Sequence, residues 1–205
     1  MSSPQHRLGL TGSIATGKST VSDYLAQRYH LPVLDADEFA RAAVQLGSPV
    51  LEAIATRYGP QFLQANGNLD RARLGQIVFS DAQERQWLEA QIHPLVRDRF
   101  HQTLAQLSDG PNPQPLVVLS IPLLFEASLT DLVTEIWVVS CTPSQQLDRL
   151  MARNRLTQQQ AQQRIQSQLP LAQKCAAADL VLDNSESRDR LYAQIDDRIS
   201  QLVSC

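Results

Sequence analysis

Residues 7–20 read RLGLTGSIATGKST, and the fold turns on how this stretch is interpreted. Gly12, four further residues and then Gly17-Lys18-Ser19 match the phosphate-binding loop pattern G-x-x-x-x-G-K-[ST]. Leu8 and Leu10 read as a short buried strand leading into the loop. Behind it, Val21, Tyr24, Leu25 and Arg28 recur at helical spacing over residues 20–29. Strand, loop, helix is the order this chemistry requires. Such a loop wraps its backbone N–H groups around phosphates, and the helix N-terminus brings a partial positive charge to the same point. Gly12 and Gly17 permit turns and a close approach that a side chain would block. Lys18 would reach the β- and γ-phosphates, the Ser19 hydroxyl would ligate Mg²⁺, and Thr20 would lie within reach of the α-phosphate. An accidental glycine turn is the competing reading, and the flanking strand and helix disfavour it. The stretch predicts a nucleoside triphosphate site.

The chain has 205 residues, of which 43% are hydrophobic, enough for one α/β domain with insertions and an ordinary core. A net charge of −3 disfavours a nucleic-acid partner, whose phosphates select a basic face. No apolar run approaches the roughly 18 residues needed to span a bilayer, and the opening MSSPQHR lacks an apolar signal core. No membrane partner and a cytoplasmic location are therefore expected. Cys141, Cys175 and Cys205 are far apart and odd in number, which suits reduced thiols. His6, His30, His93 and His101 are equally scattered, and no structural metal is expected.

After the first helix, residues 30–34 read as a second strand with Pro32 near its start. It ends in Asp35-Ala36-Asp37, followed by a new helix carrying Arg41. Carboxylates at the C-terminal end of a strand lie where open α/β sheets place ligands. Asp35 is either one of these or the N-cap of the helix. Asp37 sits where it can accept a proton from a substrate hydroxyl. Arg41 shares its helix face at i+4, as a partner in the site or in a surface ion pair.

Residues 42–108 look helical. Gly47-Ser48-Pro49 separates two helices, Tyr58-Gly59-Pro60 and Asn66-Gly67-Asn68 are turns, and a helix from Asp70 presents Leu74, Ile77, Val78 and Phe79. Ser80-Asp81 caps another helix that His93-Pro94 is expected to interrupt. About sixty residues of helix between two strands predict a substrate-binding insertion rather than a loop. His93 is either a helix-end hydrogen bonder or a site residue.

A proline-rich connector at residues 108–115 precedes two continuous apolar runs, residues 116–121 and 135–140, which read as central parallel strands. Glu126, after the first, either points into the cleft or is a solvated helix residue. Thr142-Pro143 opens a helix carrying Arg149 and Arg153, and a Gln-rich helix follows from Thr157. That second helix has little to bury, so the pair reads as a lid closing on phosphates, with Arg153 favoured over Arg149 and Arg155. A last strand, residues 180–182, and a helix from Ser187 complete a parallel sheet of about five strands with helices on both sides.

Taken together, LTGSIATGKST, VLDADEFAR, WLEAQIHPLV, VVLSIPLLFE, RLMARNRLT and LVLDNS resemble the dephospho-CoA kinase family over nearly the whole chain. The phosphate loop is shared by very many NTPases; the other blocks, in this order and spacing, are far more specific. The resemblance implies a P-loop, nucleoside-monophosphate-kinase-like fold in a single domain. Its nucleotide core would take residues 1–45, 116–148 and 176–205, the acceptor-binding insertion residues 46–115 and the lid residues 149–175. It also implies transfer of phosphate from ATP, with Mg²⁺, to the ribose 3′-hydroxyl of dephospho-CoA, which would bind between sheet and insertion. Gly12, Ala15, Thr16, Gly17, Lys18, Ser19 and Thr20 would hold ATP. Asp37 would be the general base, Arg41, His93 and Arg97 would lie on the acceptor side, and Lys18 and Arg153 would stabilise charge. The family often has Gly where this chain has Ser13 and Ala15, both small enough to fit, and acidic residues where Asn154-Arg155 stand. A monomer or weak homo-oligomer is expected. The rivals are another nucleotide kinase of the same fold and a nucleotide-binding scaffold or switch. A GTPase switch is disfavoured because neither N-K-x-D nor D-x-x-G occurs.

Overall fold

The computed structural model describes residues 5–203, without the side chains of Phe79 and Val203. The expectations for the first four residues, for Phe79 on an apolar face and for Cys205 fall outside what is described. The elements are β1 (His6–Gly12), α1 (Lys18–Tyr29), β2 (Val33–Asp35), α2 (Ala36–Ala43), α3 (Pro49–Tyr58), α4 (Arg71–Ser80), α5 (Ala82–Asp109), β3 (Leu116–Ser120), β4 (Glu135–Ser140), α6 (Pro143–Asn154), α7 (Gln158–Gln166), α8 (Leu171–Ala176), β5 (Leu180–Asp183) and α9 (Arg188–Val203). The five strands stand in the order β2-β3-β1-β4-β5. β1 lies between β3 and β4, parallel to both, with Leu10 opposite Ser120 and Gly12 opposite Val139. Strands buried on both faces need continuous apolar runs, which is why LVVLS and EIWVVS carry no alternation. No described helix is long and apolar enough to cross a membrane.

The chain packs as two compact units, Met1–Leu34 with Pro111–Cys205, and Asp35–Gly110. In the first, Val21 and Leu25 of α1 and Leu191, Ile195 and Ile199 of α9 close over Leu8, Leu10, Val118, Trp137 and Val139 of the sheet. Each such fully buried side chain contributes about 1.5–3 kcal/mol. The parallel sheet with flanking helices agrees with the expected architecture. Two boundaries differ. Residues 30–32 are not strand: His30 adopts a left-handed conformation (φ 53°) and returns its N–H to Leu25 O as the C-cap of α1. Pro94 also fails to interrupt its helix, since α5 runs unbroken through it. The proline removes one helical hydrogen bond. Trp87, Leu88 and Ile92 before it and Val96, Phe100 and Leu104 after it are packed, and that burial outweighs the loss.

The second unit has its own core of Val44, Val50, Leu51, Ile54, Phe62, Leu69 and Leu74. Its helix starts are written in the sequence. Ser48 caps α3 by accepting the Leu51 N–H at 3.2 Å, Asp70 caps α4 through Arg73, and Asp81 caps α5 through Gln83. α3 and α5 are joined by Arg57, which forms a two-pronged pair with Glu84 (2.8 and 2.9 Å) and stacks 4.6 Å above the Trp87 ring. The Arg57 guanidinium, with the Tyr58 hydroxyl, lowers the Glu84 carboxyl from its ordinary 4.5 to about 2. A carboxyl depressed in the folded state stabilises above its unfolded pKa, and that contribution is lost as pH falls through the folded one. Unfolding free energy should therefore drop between pH 4.5 and about 2. In Glu84→Gln, denaturant titrations across that window should show a shallower pH slope.

Candidate active site

The loop between β1 and α1 turns on two left-handed residues, Ala15 (φ 64°) and Gly17 (φ 103°). Gly17 is the N-cap of α1 and has no side chain to occupy the first amides of the helix. A Cβ here would stand 2.1 Å from Asn184 Nδ2. A Cβ on Gly12 would meet Thr16 Oγ1 at 2.6 Å and Val139 O at 2.9 Å, so the loop's first turn also admits only glycine. Lys18 Nζ donates to the hydroxyl of Ser120 at the C-terminal end of β3. Ser19 is exposed in the first turn of α1, and the Thr20 N–H bonds Gly17 O at 3.0 Å.

Side chains from the C-terminal half hold the loop from behind. Gln146 Nε2 on α6 donates to Ile14 O at 2.9 Å, and Gln168 Oε1 accepts the Ile14 N–H at 2.8 Å. Asn184 Nδ2, just beyond β5, donates to Thr16 O at 2.8 Å. Thr16 bonds Ser13 O through its own hydroxyl. Of these anchors only Asn184 sat in a block that stood out in the sequence, and its role was not legible there. Gln168 ends the Gln-rich stretch that read as a lid, and nothing in the sequence marked Gln146 on the preceding helix.

The structure corrects two readings. Glu126 is exposed, as one reading had it, but it is not on a helix. It follows β3 in a run of turns, pairs with the buried Lys174 at 2.8 Å and accepts the Leu169 N–H at 3.0 Å. Arg149, half-buried, gives its Nη2 to Asn184 O at 3.0 Å and so braces the strand end that braces the loop. Arg153 is exposed near the end of α6, where its Nε meets Asn154 Oδ1. Arg155 caps that helix in a left-handed conformation. Burial raises the Cys141 thiol above its ordinary pKa, as suits an inert core thiol.

In the second unit, Asp35 is the N-cap of α2, accepting the Asp37 N–H at 2.8 Å. That bond fixes Asp37 in the first turn, where a carboxylate is favoured by the helix dipole. Arg41 Nε reaches the main-chain oxygen of Asp37 at 3.0 Å, which joins the two residues through backbone. Asp37 and Arg41 line one wall of a cavity of about 390 Å³, with Ala40 and Val44. Leu69, Leu74, Val78, Leu88 and Ile92 make it largely apolar, and Arg71 adds a second guanidinium. Arg71 Nη2 donates to Arg41 O at 3.1 Å, which places it beside the first. Nothing in the sequence distinguished Arg71 from other surface arginines. His93 and Arg97, half-buried one turn apart on α5, do not line this cavity.

The family model described as dephospho-CoA kinase matches residues 6–189. The chain belongs to the dephospho-CoA kinase family. It is similar to the dephospho-CoA kinase of a Synechocystis strain, 59% identical over 193 residues that cover 94% of each chain. Among solved structures it resembles a Thermus thermophilus protein, with a TM-score of 0.80 and 32% identity over 98% of this chain and 99% of that one. It also resembles the dephospho-CoA kinase from Campylobacter jejuni, with a TM-score of 0.71 and 26% identity over 97% and 98%.

Within that family's loop, Ala15 is small enough, as expected, yet its φ of 64° lies in the region that costs an L-residue about 1–2 kcal/mol. Ala15→Gly should therefore raise unfolding free energy by about 1 kcal/mol. Denaturant unfolding of both proteins checks this, and an unchanged midpoint would contradict it.

Proposed function

We propose that this chain phosphorylates the ribose 3′-hydroxyl of dephospho-CoA with ATP, giving coenzyme A and ADP. The reading is carried by the cavity: a carboxylate and two guanidinium groups set against apolar walls suit a nucleotide-like acceptor that is anionic at one end and offers a hydroxyl to a base. Membership of the dephospho-CoA kinase family supplies the acceptor.

ATP phosphates bind the loop formed by Ala15 to Thr20, with Lys18 swinging from Ser120 onto the β- and γ-oxygens. The Ser19 hydroxyl, exposed at the head of α1, is the residue that would hold Mg²⁺, an oxygen donor suited to a cation that keeps most of its waters. Bound there, Mg²⁺ supplies charge neutralisation at the β- and γ-oxygens. Asp37 takes the proton of the 3′-hydroxyl as its oxygen attacks the γ-phosphorus. The bond from that phosphorus to the β–γ bridging oxygen breaks, and ADP leaves with the electron pair. Lys18 and Arg153 offset the charge that spreads in the transition state. Arg41 and Arg71 hold the anionic end of the acceptor; His93 and Arg97 extend the acceptor side along α5.

The test is an acceptor panel of dephospho-CoA, AMP, CMP, adenosine and none, with Mg-ATP, following ADP and weighing products. A product heavier by one phosphate with dephospho-CoA alone is expected; phosphorylation of a nucleoside monophosphate instead would overturn the acceptor assignment. Asp37→Asn should lower kcat by about 10²–10⁴ with little change in ATP KM. Near-normal turnover in that variant would remove Asp37 as the base. Arg71→Ala should raise the dephospho-CoA KM roughly 10- to 100-fold, as expected for a lost charged hydrogen bond, and leave the ATP KM alone.

A further inference from the structure

Lys174 lies on α8, a helix of only six residues, yet its side chain is wholly buried (0%). A lysine buried this deeply is tolerated only where its charge is paired and its donors are used. All three donors of Nζ have acceptors. Glu126 Oε1 is at 2.8 Å, Pro122 O at 3.1 Å, and Gly12 O, the first carbonyl of the phosphate loop, at 3.5 Å. Pro122 O is shared with the hydroxyl of Thr11, one residue before the loop. Glu126 in turn accepts the Leu169 N–H, and the preceding residue, Gln168, accepts the Ile14 N–H. Residues 168–174, which follow the lid helices α6 and α7, thus hold the loop at Gly12 and at Ile14, with Glu126 fixing them.

We infer that Lys174 is a positioning residue for the phosphate loop, coupling nucleotide binding at the loop to the order of the segment that roots the lid. Glu126 balances its charge, and Nζ is turned to the carbonyls of Gly12 and of Pro122 in the turns after β3, so it does not act by neutralising phosphate. It sets the direction of the backbone whose amides do. Coupling of this kind is reciprocal: a nucleotide that orders the loop orders residues 168–176, and loosening Lys174 weakens the nucleotide. The inference rests on the loop binding nucleotide, as proposed above.

Two measurements test it. In the unaltered protein, hydrogen–deuterium exchange with and without ADP should show protection at residues 168–176 alongside residues 12–20. Protection of the loop alone would overturn the coupling, whereas no ADP binding at all would instead sink the proposed function. In the second, Lys174→Met and Glu126→Leu are combined, removing both charges together so that no unpaired buried ion remains. The ADP Kd should weaken about tenfold while the dephospho-CoA KM stays near its original value, a smaller loss than the ~10²-fold of a 1 Å misplacement. A merely structural role would lower the melting temperature and leave the ADP affinity of the folded protein unchanged, and that result would overturn the assignment. Should the double variant fail to fold, the exchange experiment decides alone.

Discussion

A phosphate loop has to keep its amides facing a ligand, so its remaining backbone polar groups must be satisfied from behind. The rest of the first unit follows from that requirement. Ile14 O, Thr16 O, Gly12 O and the Ile14 N–H are met by Gln146, Asn184, Lys174 and Gln168, all from the last third of the chain. The sheet order makes this possible. With β4 beside β1 and Val139 opposite Gly12, the chain leaving β4 enters α6 next to the loop, and the chain leaving β5 delivers Asn184 to it. The glycines serve the same end. Gly17 is needed both for its φ of 103° and because Asn184 Nδ2 stands 2.1 Å from where a Cβ would be.

The second unit solves a different problem, that of presenting a carboxylate reliably. Asp35 and Asp37 look alike in the sequence, but α2 divides their labour. Asp35 is engaged as the N-cap, and its bond to the Asp37 amide orients the turn that carries Asp37. Arg41 reinforces this by bonding the main-chain oxygen of Asp37, and Arg71 reaches the main-chain oxygen of Arg41. Both guanidinium groups are therefore positioned by backbone carbonyls rather than by competing carboxylates. An arginine held this way keeps donors available for an anion.

How much of this was legible follows from how local each signal is. Strand, loop and α1 are encoded by spacing within residues 7–29, and Ser48, Asp70, Asp81 and Thr142 announce their helices by caps that act over three residues. Asp37 and Arg41 were recognisable for the same reason. Pro94 misled because its local cost is real while the packing that outweighs it is tertiary. Lys174 and Gln146 were invisible, because a buried lysine or glutamine has the composition of surface until its distant partners at Gly12, Glu126 and Ile14 are known. Arg71 joins the site only through a cavity whose walls come from α2, α4 and α5.

Helices α6 and α7 show the same contrast between local and distant bonds. Among the described residues of α7 Ala161 is the buried one, and its capping box, with Thr157 and Gln160 bonding reciprocally, stabilises the start of the helix. The two ends of the pair are different. Thr142 with its own capping box, together with Gln146, pins the start of α6, while Gln168, Leu169 and Lys174 pin the chain after α7 to the loop and to Glu126. The stretch between these anchors contains Arg153. Arg153 is exposed on a stretch whose two ends are bonded to the phosphate loop through Gln146 and Gln168, so the geometry of that loop bears on where it sits.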